Sequence, residues 1–225
     1  MVPFSFAGEE LRLVQGRALY WPRERALLVA DLHLEKASFF AAHGQMLPPY
    51  DSRATLERLA LAVGETGARR VYALGDSFHD DRGEARLEPH AAGMLAALTR
   101  ATEWVWITGN HDSRLAGEAG GTAAEELAIG TLVLRHKAES GESRAELSGH
   151  YHPKLTLTQR GRRIARPCAV MSERRLILPA FGALTGGMDA ADPAILAAMQ
   201  PARAIDAVLP AAGRLVQYPL WRAAA

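Results

Sequence analysis

Short apolar runs separated by glycine, proline and polar turns dominate the first half of the chain. LRLV and RALYW flank Gln15 and Gly16, ALLVA follows the turn from Pro22 to Arg25, and VYAL and WVWIT recur further on. Apolar residues at consecutive positions mark strands covered on both faces. Between these runs the apolar positions fall three and four apart, which is helical spacing. LEKASFFAAHG predicts a helix closed by Gly44. DSRATLERLALAVGETG predicts a second, capped by Asp51 or Ser52, with Leu56, Leu59, Ala60 and Val63 on one face, and Pro89 opens a third in PHAAGMLAALTRA. Alternating strand and helix predicts a parallel sheet with helices packed on its faces.

The second half has a different rhythm. AGEAGGTAAEELAIG predicts a surface loop with room for one short helix. TLVLRH, RAELSGHYHP, KLTLTQ, RRIARPCAVM and RRLILPAFG then follow with little helix between them, predicting a second, more antiparallel sheet. GALTGGMDAADP reads as a structured loop, PAILAAMQ as a short helix and RAIDAVLPAAGRLVQYPLW as a closing hairpin. The 225 residues contain no repeat, linker or low-complexity segment, and 48% are hydrophobic, so one large core and one domain over 1–225 are expected.

Charge and cysteine content narrow the setting. The 26 basic and 25 acidic residues nearly cancel, so a nucleic-acid partner would need a local patch. Of the basic residues 23 are arginine, which phosphate binding and genomic coding bias explain equally well. The single Cys168, in the strand-like RPCAVM, excludes an internal disulfide and fits a reducing compartment. No apolar run approaches the roughly 18 residues of a membrane span, and MVPFSFAGEE lacks the features of a signal peptide, so the expectation is a cytoplasmic protein without a membrane partner.

The candidate chemistry stands where the apolar runs stop. ALLVA runs into Asp31, Leu32 and His33, VYAL into Gly75 and Asp76, and WVWIT into Gly109, Asn110, His111 and Asp112. TLVLR runs into His136, and RAEL into SGHYHP with His150 and His152. Each motif alone has an ordinary structural explanation, as a cap, a turn or a surface histidine. Their joint occurrence just past successive strands predicts a metal centre, because ligands in open sheets collect at the carboxyl ends of strands. Carboxylates, an amide and imidazoles without thiolate suit Mn, Fe or Zn. Seven such side chains exceed the needs of one ion with an open position, so two divalent ions are expected, with Asp76 best placed to bridge them. Two such ions, two carboxylates and a bridging hydroxide leave about +1, matched to a phosphodiester monoanion that the hydroxide would attack.

DLH, GD, GNHD, a lone histidine and GHYH in that order resemble the calcineurin-like metallophosphoesterases over residues 31–152. The resemblance implies an α/β fold, a four-layer sandwich of two mixed β-sheets flanked by helices. It assigns Asp31, His33, Asp76 and His152 to one metal, and Asp76, Asn110, His136 and His150 to the other. It gives His111 the task of stabilising the phosphate and protonating the leaving oxygen, with Asp112 either orienting it or capping the next turn. In GDSFHD, His79 stands three residues after Asp76, as in the double-strand-break repair nuclease, which implies substrate positioning. GDSFHD, LPAFGALTGG and the compact size resemble the bacterial ligase-associated DNA damage response endonucleases. That resemblance implies a manganese-dependent phosphodiesterase acting on DNA beside a DNA ligase and helicase.

Two other functions fit the same fold. One is hydrolysis of a small nucleotide or other small phosphate ester. The other is a non-catalytic scaffold with a degraded site, against which all seven ligands and His111 stand. QRGRRIAR places Arg160, Arg162, Arg163 and Arg166 around a hairpin turn, where they would contact phosphates or simply be solvated. The absence of a helix-turn-helix, zinc-finger or aromatic-ribbon pattern argues against base-sequence readout, leaving DNA read by shape or as single strands. The closing hairpin could offer an edge to a homodimer, but no segment decides the oligomeric state.

Overall fold

The computed structural model describes residues 1–110 and 119–224. Among these, the first sheet follows chain order: β1 (Val2–Phe6), β2 (Glu9–Val14), β3 (Ala18–Trp21), β4 (Ala26–Ala30), β5 (Arg70–Leu74), β6 (Glu103–Ile107) and β7 (Thr122–Ala124). β1 to β4 pair antiparallel and β4 to β7 pair parallel. The parallel crossovers carry α1 (Lys36–Ala42), α2 (Asp51–Thr66), α3 (Gly83–Arg86) and α4 (Pro89–Ala101).

The second sheet contains β8 (Glu126–Ile129), β9 (Leu132–Arg135), β10 (Ala145–Ser148), β13 (Ala169–Met171), β14 (Arg175–Ile177), β15 (Ala204–Ala211) and β16 (Arg214–Arg222), in the order β16-β15-β13-β14-β10-β9-β8. It is mixed: β10 pairs parallel with β9 and β14, and the other pairings are antiparallel. β11 (Lys154–Gln159) and β12 (Arg162–Pro167) form a separate two-stranded hairpin, and α5 (Pro193–Ala198) follows the second sheet.

The continuous apolar run of β4 now has its cause. Ala26, Leu28 and Ala30 face the other sheet, packing with Leu132, Leu134, Leu147, Leu176 and Val208. Leu27 and Val29 face outward onto Leu56 and Leu59 of α2 and Leu95 of α4. Beyond the second sheet, Val170, Ile177, Ile205 and Ala207 meet Ile195 and Ala198 of α5. The result is the expected four-layer arrangement of two mixed sheets flanked by helices, with a thin outer layer over the second sheet.

Three local expectations are corrected. The segment 120–130 is not a loop with a helix. Thr122–Ala124 closes the first sheet and Glu126–Ile129 opens the second, so the chain changes sheets at residue 125. Edge strands with small, half-exposed residues need no apolar run. Asp51 and Ser52 do not cap α2, whose N-cap is Tyr50. Their side chains instead hold the start of α1: Asp51 Oδ2 accepts from Ala37 N at 3.1 Å, and Ser52 Oγ accepts from Glu35 N at 2.8 Å while donating to Glu35 Oε1 at 2.7 Å. On α2, Ala60 faces solvent, and Thr55 and Ala62 take the buried stripe with Leu56 and Leu59. Among the described residues no helix is long and apolar enough to cross a membrane.

Candidate metal centre

β4, β5, β9 and β10 carry their candidate ligands just past their carboxyl ends, and the backbone knits these ends together. Asp31 N donates to Gly75 O at 3.2 Å, His33 N to Asp76 O at 2.9 Å and Gly149 N to His136 O at 2.8 Å. His150 N donates to both carboxylate oxygens of Asp31, at 2.9 and 3.1 Å. Five candidate ligands hold left-handed backbone conformations: Asp31 (φ 53°), His33 (45°), Asp76 (43°), His150 (75°) and His152 (48°). Such conformations cost of order 1–3 kcal/mol each for non-glycine residues and persist only where the surroundings enforce them. Here Asp31 and His33, two apart in sequence, reach the same group of side chains, while His150 and His152 reach different ones. Gly75 shows how tight the packing is, since a Cβ there would stand 1.9 Å from His136 Nδ1.

The side chains form two groups, Asp31 with His33 and His152, and Asp76 with His136 and His150; within each, the candidate ligand atoms lie within 4.8 Å of one another. In the first, His33 Nε2 is 3.2 Å from His152 Nε2, and His152 Nε2 is 3.5 Å from Asp31 Oδ1. In the second, His136 Nε2 is 3.0 Å from His150 Nδ1. Asp76 turns one oxygen to each group, Oδ2 lying 3.9 Å from His33 Nε2 and Oδ1 lying 3.6 Å from His136 Nε2. Asn110 joins the second group through its amide, with Nδ2 3.4 Å from His150 Nδ1, and reversing the amide would present its oxygen. His111 and Asp112 lie outside the described residues.

The donor set fits divalent cations. Burial, reinforced by His136 and Lys137, pushes the His150 imidazole down to about 4, so its ring is neutral and offers a lone pair near pH 7. Asp31 is fully buried, and desolvation raises its pKa above the ordinary carboxylate value despite the neighbouring histidines. A cation at this point would offset that cost. His136 Nδ1 lies 3.4 Å from Leu74 O, a contact that selects the tautomer leaving Nε2 as the ligand atom.

His79 lies at the edge of this centre, its Nδ1 3.5 Å from His33 Nδ1. It is surrounded by rings that no sequence pattern announced: Phe39 at 4.8 Å between centroids, and Phe40 stacked at 5.7 Å. Sequence reading also missed the clasp of Glu35 on Ser52, and the reason for LPAFGALTGG. That segment backs the DLH loop, with Phe181 N donating to Ala30 O at 2.8 Å and Gly182 N to Asp31 O at 3.2 Å. A Cβ at Gly182 would stand 2.2 Å from Leu32 O, so the motif requires glycine there for close approach.

No protein-family model matches the chain, and no curated protein sequence does. Among solved structures, that of the Pseudomonas putida nuclease MPE is similar with a TM-score of 0.71 and 32% identity, over 97% of this chain and 98% of that one. YfcE, a phosphoesterase from E. coli, is 14% identical with a TM-score of 0.43, over 87% of this chain and 99% of that one. Identity and near-complete mutual coverage with the Pseudomonas nuclease place this chain, with its paired groups of metal-ligating side chains, in the metallophosphoesterase superfamily.

Proposed function

We propose that residues 1–225 act as one cytoplasmic catalytic unit, a dinuclear metal-dependent phosphodiesterase that cleaves DNA during ligase-associated repair. The observation that carries this reading is Asp76, whose two oxygens address two separate groups of ligands. Asp31, His33 and His152 would hold one cation with Asp76, and His136, His150 and Asn110 the other. When bound, two divalent cations, manganese before iron or zinc, polarise a phosphoryl oxygen and make water a nucleophile near neutral pH. The chain's own residues supply the rest. His111, next to Asn110 in sequence, donates the proton that the leaving oxygen needs. His79, packed against Phe39 and Phe40 and facing His33, orients the phosphate. The Pseudomonas relative is described as a nuclease, which favours nucleic acid over a small ester as the substrate.

The test is hydrolysis of single-stranded DNA, duplex DNA, a cyclic nucleotide and an aryl phosphate, each with manganese, iron and zinc. DNA cleavage with about two metals per chain is expected. A strong preference for the aryl monoester would remove the nuclease reading, and failure to take up any divalent ion would remove the enzyme reading. His111→Ala should lower turnover by at least about 100-fold with both metals retained. Unchanged turnover, or loss of metal, would reassign that residue.

A further inference from the structure

The β11–β12 hairpin begins two residues after His152 and belongs to neither main sheet. Its root is pinned: Lys154 N donates to Met188 O at 2.8 Å, Ala190 N to Lys154 O at 2.9 Å and Cys168 N to Pro153 O at 3.1 Å. The six residues of β11, at roughly 3.3 Å each, extend the turn about 20 Å along the strand from that root. This is the length of about six phosphates in a stacked strand.

Charge sets this hairpin apart from the body. From residue 147 to 172 the sequence has Lys154, Arg160, Arg162, Arg163 and Arg166 and no aspartate or glutamate. That segment contributes +5 to a chain whose total is +1, so the remainder is net −4. All four arginines are exposed, and among the described residues none of their side chains has an ion-pair or hydrogen-bond partner. Arginines elsewhere, such as Arg70, Arg86, Arg135 and Arg175, are tied to carboxylates.

The register divides the hairpin into two faces. Leu155, Leu157 and Ile164 share one with Arg162 and Arg166; the three apolar residues and Arg166, with Thr158 and Leu209, border a cleft of about 410 Å³. The other carries Lys154, Thr156, Thr158 and Arg163; Arg160 lies in the turn and Arg162, paired with Gln159, stands beside it outside the cleft, so Arg160, Arg162 and Arg163 are all at the tip of the hairpin. Hydroxyls and guanidinium groups in a row are the donors that bind phosphate oxygens without reading bases.

We propose that this hairpin is a nucleic-acid arm: Arg160, Arg162 and Arg163 bind backbone phosphates of a single strand remote from the scissile one and hold it in register with the metal centre. The proposal rests on the nuclease reading, but its test does not depend on cleavage. Binding of a fluorescein-labelled 30-nucleotide oligothymidylate by the full chain is followed by anisotropy in EDTA, across 50 to 200 mM salt. The variant combines Arg160→Gln, Arg162→Gln and Arg163→Gln, and a second carries lysine at the same positions.

Loss of about three phosphate contacts should weaken binding by roughly 10-fold or more at low salt and reduce the log–log salt slope by about 2. The lysine variant should recover most of both. Hydrolysis of bis(p-nitrophenyl) phosphate with manganese should stay within about twofold of wild type, showing that the metal centre is intact. Equal affinity and slope in the glutamine variant would overturn the arm even if the wild type cleaves DNA. Altered binding in a protein that does not cleave DNA would support the arm and sink only the nuclease reading. Loss of binding to phosphatidylserine vesicles with unchanged DNA binding would replace nucleic acid with a membrane surface and overturn the proposal.

Discussion

Arg135 and His136 are adjacent at the end of β9, yet they enter opposite kinds of charged cluster. Arg135 reaches Glu126 at 2.9 Å, Glu142 at 3.0 Å, Glu146 at 3.6 Å and also Glu139, while the fully buried Glu146 takes Arg175 Nε at 2.8 Å. Each buried charge there faces its opposite. His136 instead meets His150 at 3.0 Å and Asp76 at 3.6 Å, a convergence of imidazole nitrogens and carboxylate oxygens. Buried charge alone therefore does not mark a site. An excess of buried electron-pair donors over buried cations does, because only an added cation balances it; Glu126 and Glu139, the surplus acids around Arg135, are exposed to water.

The strongest way to break this comparison is to remove an acid from each cluster. Asp76→Asn should lower turnover by at least about 1,000-fold, since losing the negative charge that faces both groups should cost several kcal/mol of transition-state stabilisation. Elemental analysis should show one metal or fewer per chain. Stability of the metal-free protein should hardly change. Glu146→Gln should show the reverse: a loss of about 3–5 kcal/mol by urea denaturation, from a buried guanidinium without its counter-charge, with metal content unchanged. If Glu146→Gln released the metals, the two clusters would be one functional unit.

The same contrast explains what could be read from sequence. The six side chains that form the two groups were legible because each follows an apolar strand at a carboxyl end, a position that topology turns into proximity. The clasp of Glu35, Ser52 and Asp51 was not, because the residue types that cap helices also bind loops. Phe39 and Phe40 are adjacent on a short helix, where neither periodicity nor motif shows that both will meet a histidine 39 or more positions later. LPAFGALTGG was legible as a motif but not as a mechanism, since the backbone it supports lies about 150 residues earlier. Gly182→Ala tests that link. The clash with Leu32 O should cost about 1–3 kcal/mol and weaken metal binding together with activity. A loss of stability with unchanged metal affinity would make the segment mere core.

Cys168 sharpens the comparison as a buried titratable group in neither cluster. It sits among Leu155, Val170 and Ile205, and burial pushes its thiol from an ordinary 9.0 up to about 12. Between those values the unfolded chain has released a proton that the folded chain keeps, so this contribution to stability is constant below about pH 9 and declines as pH rises through the window. The decline should be about 1.4 kcal/mol per pH unit at most, and Cys168→Ala should flatten that alkaline limb without altering metal content. The folded thiol should also resist iodoacetamide at pH 8 and react only on unfolding. Rapid alkylation of the native protein would show that solvent reaches the outer layer of the second sheet and that the apolar packing around this thiol is not sealed.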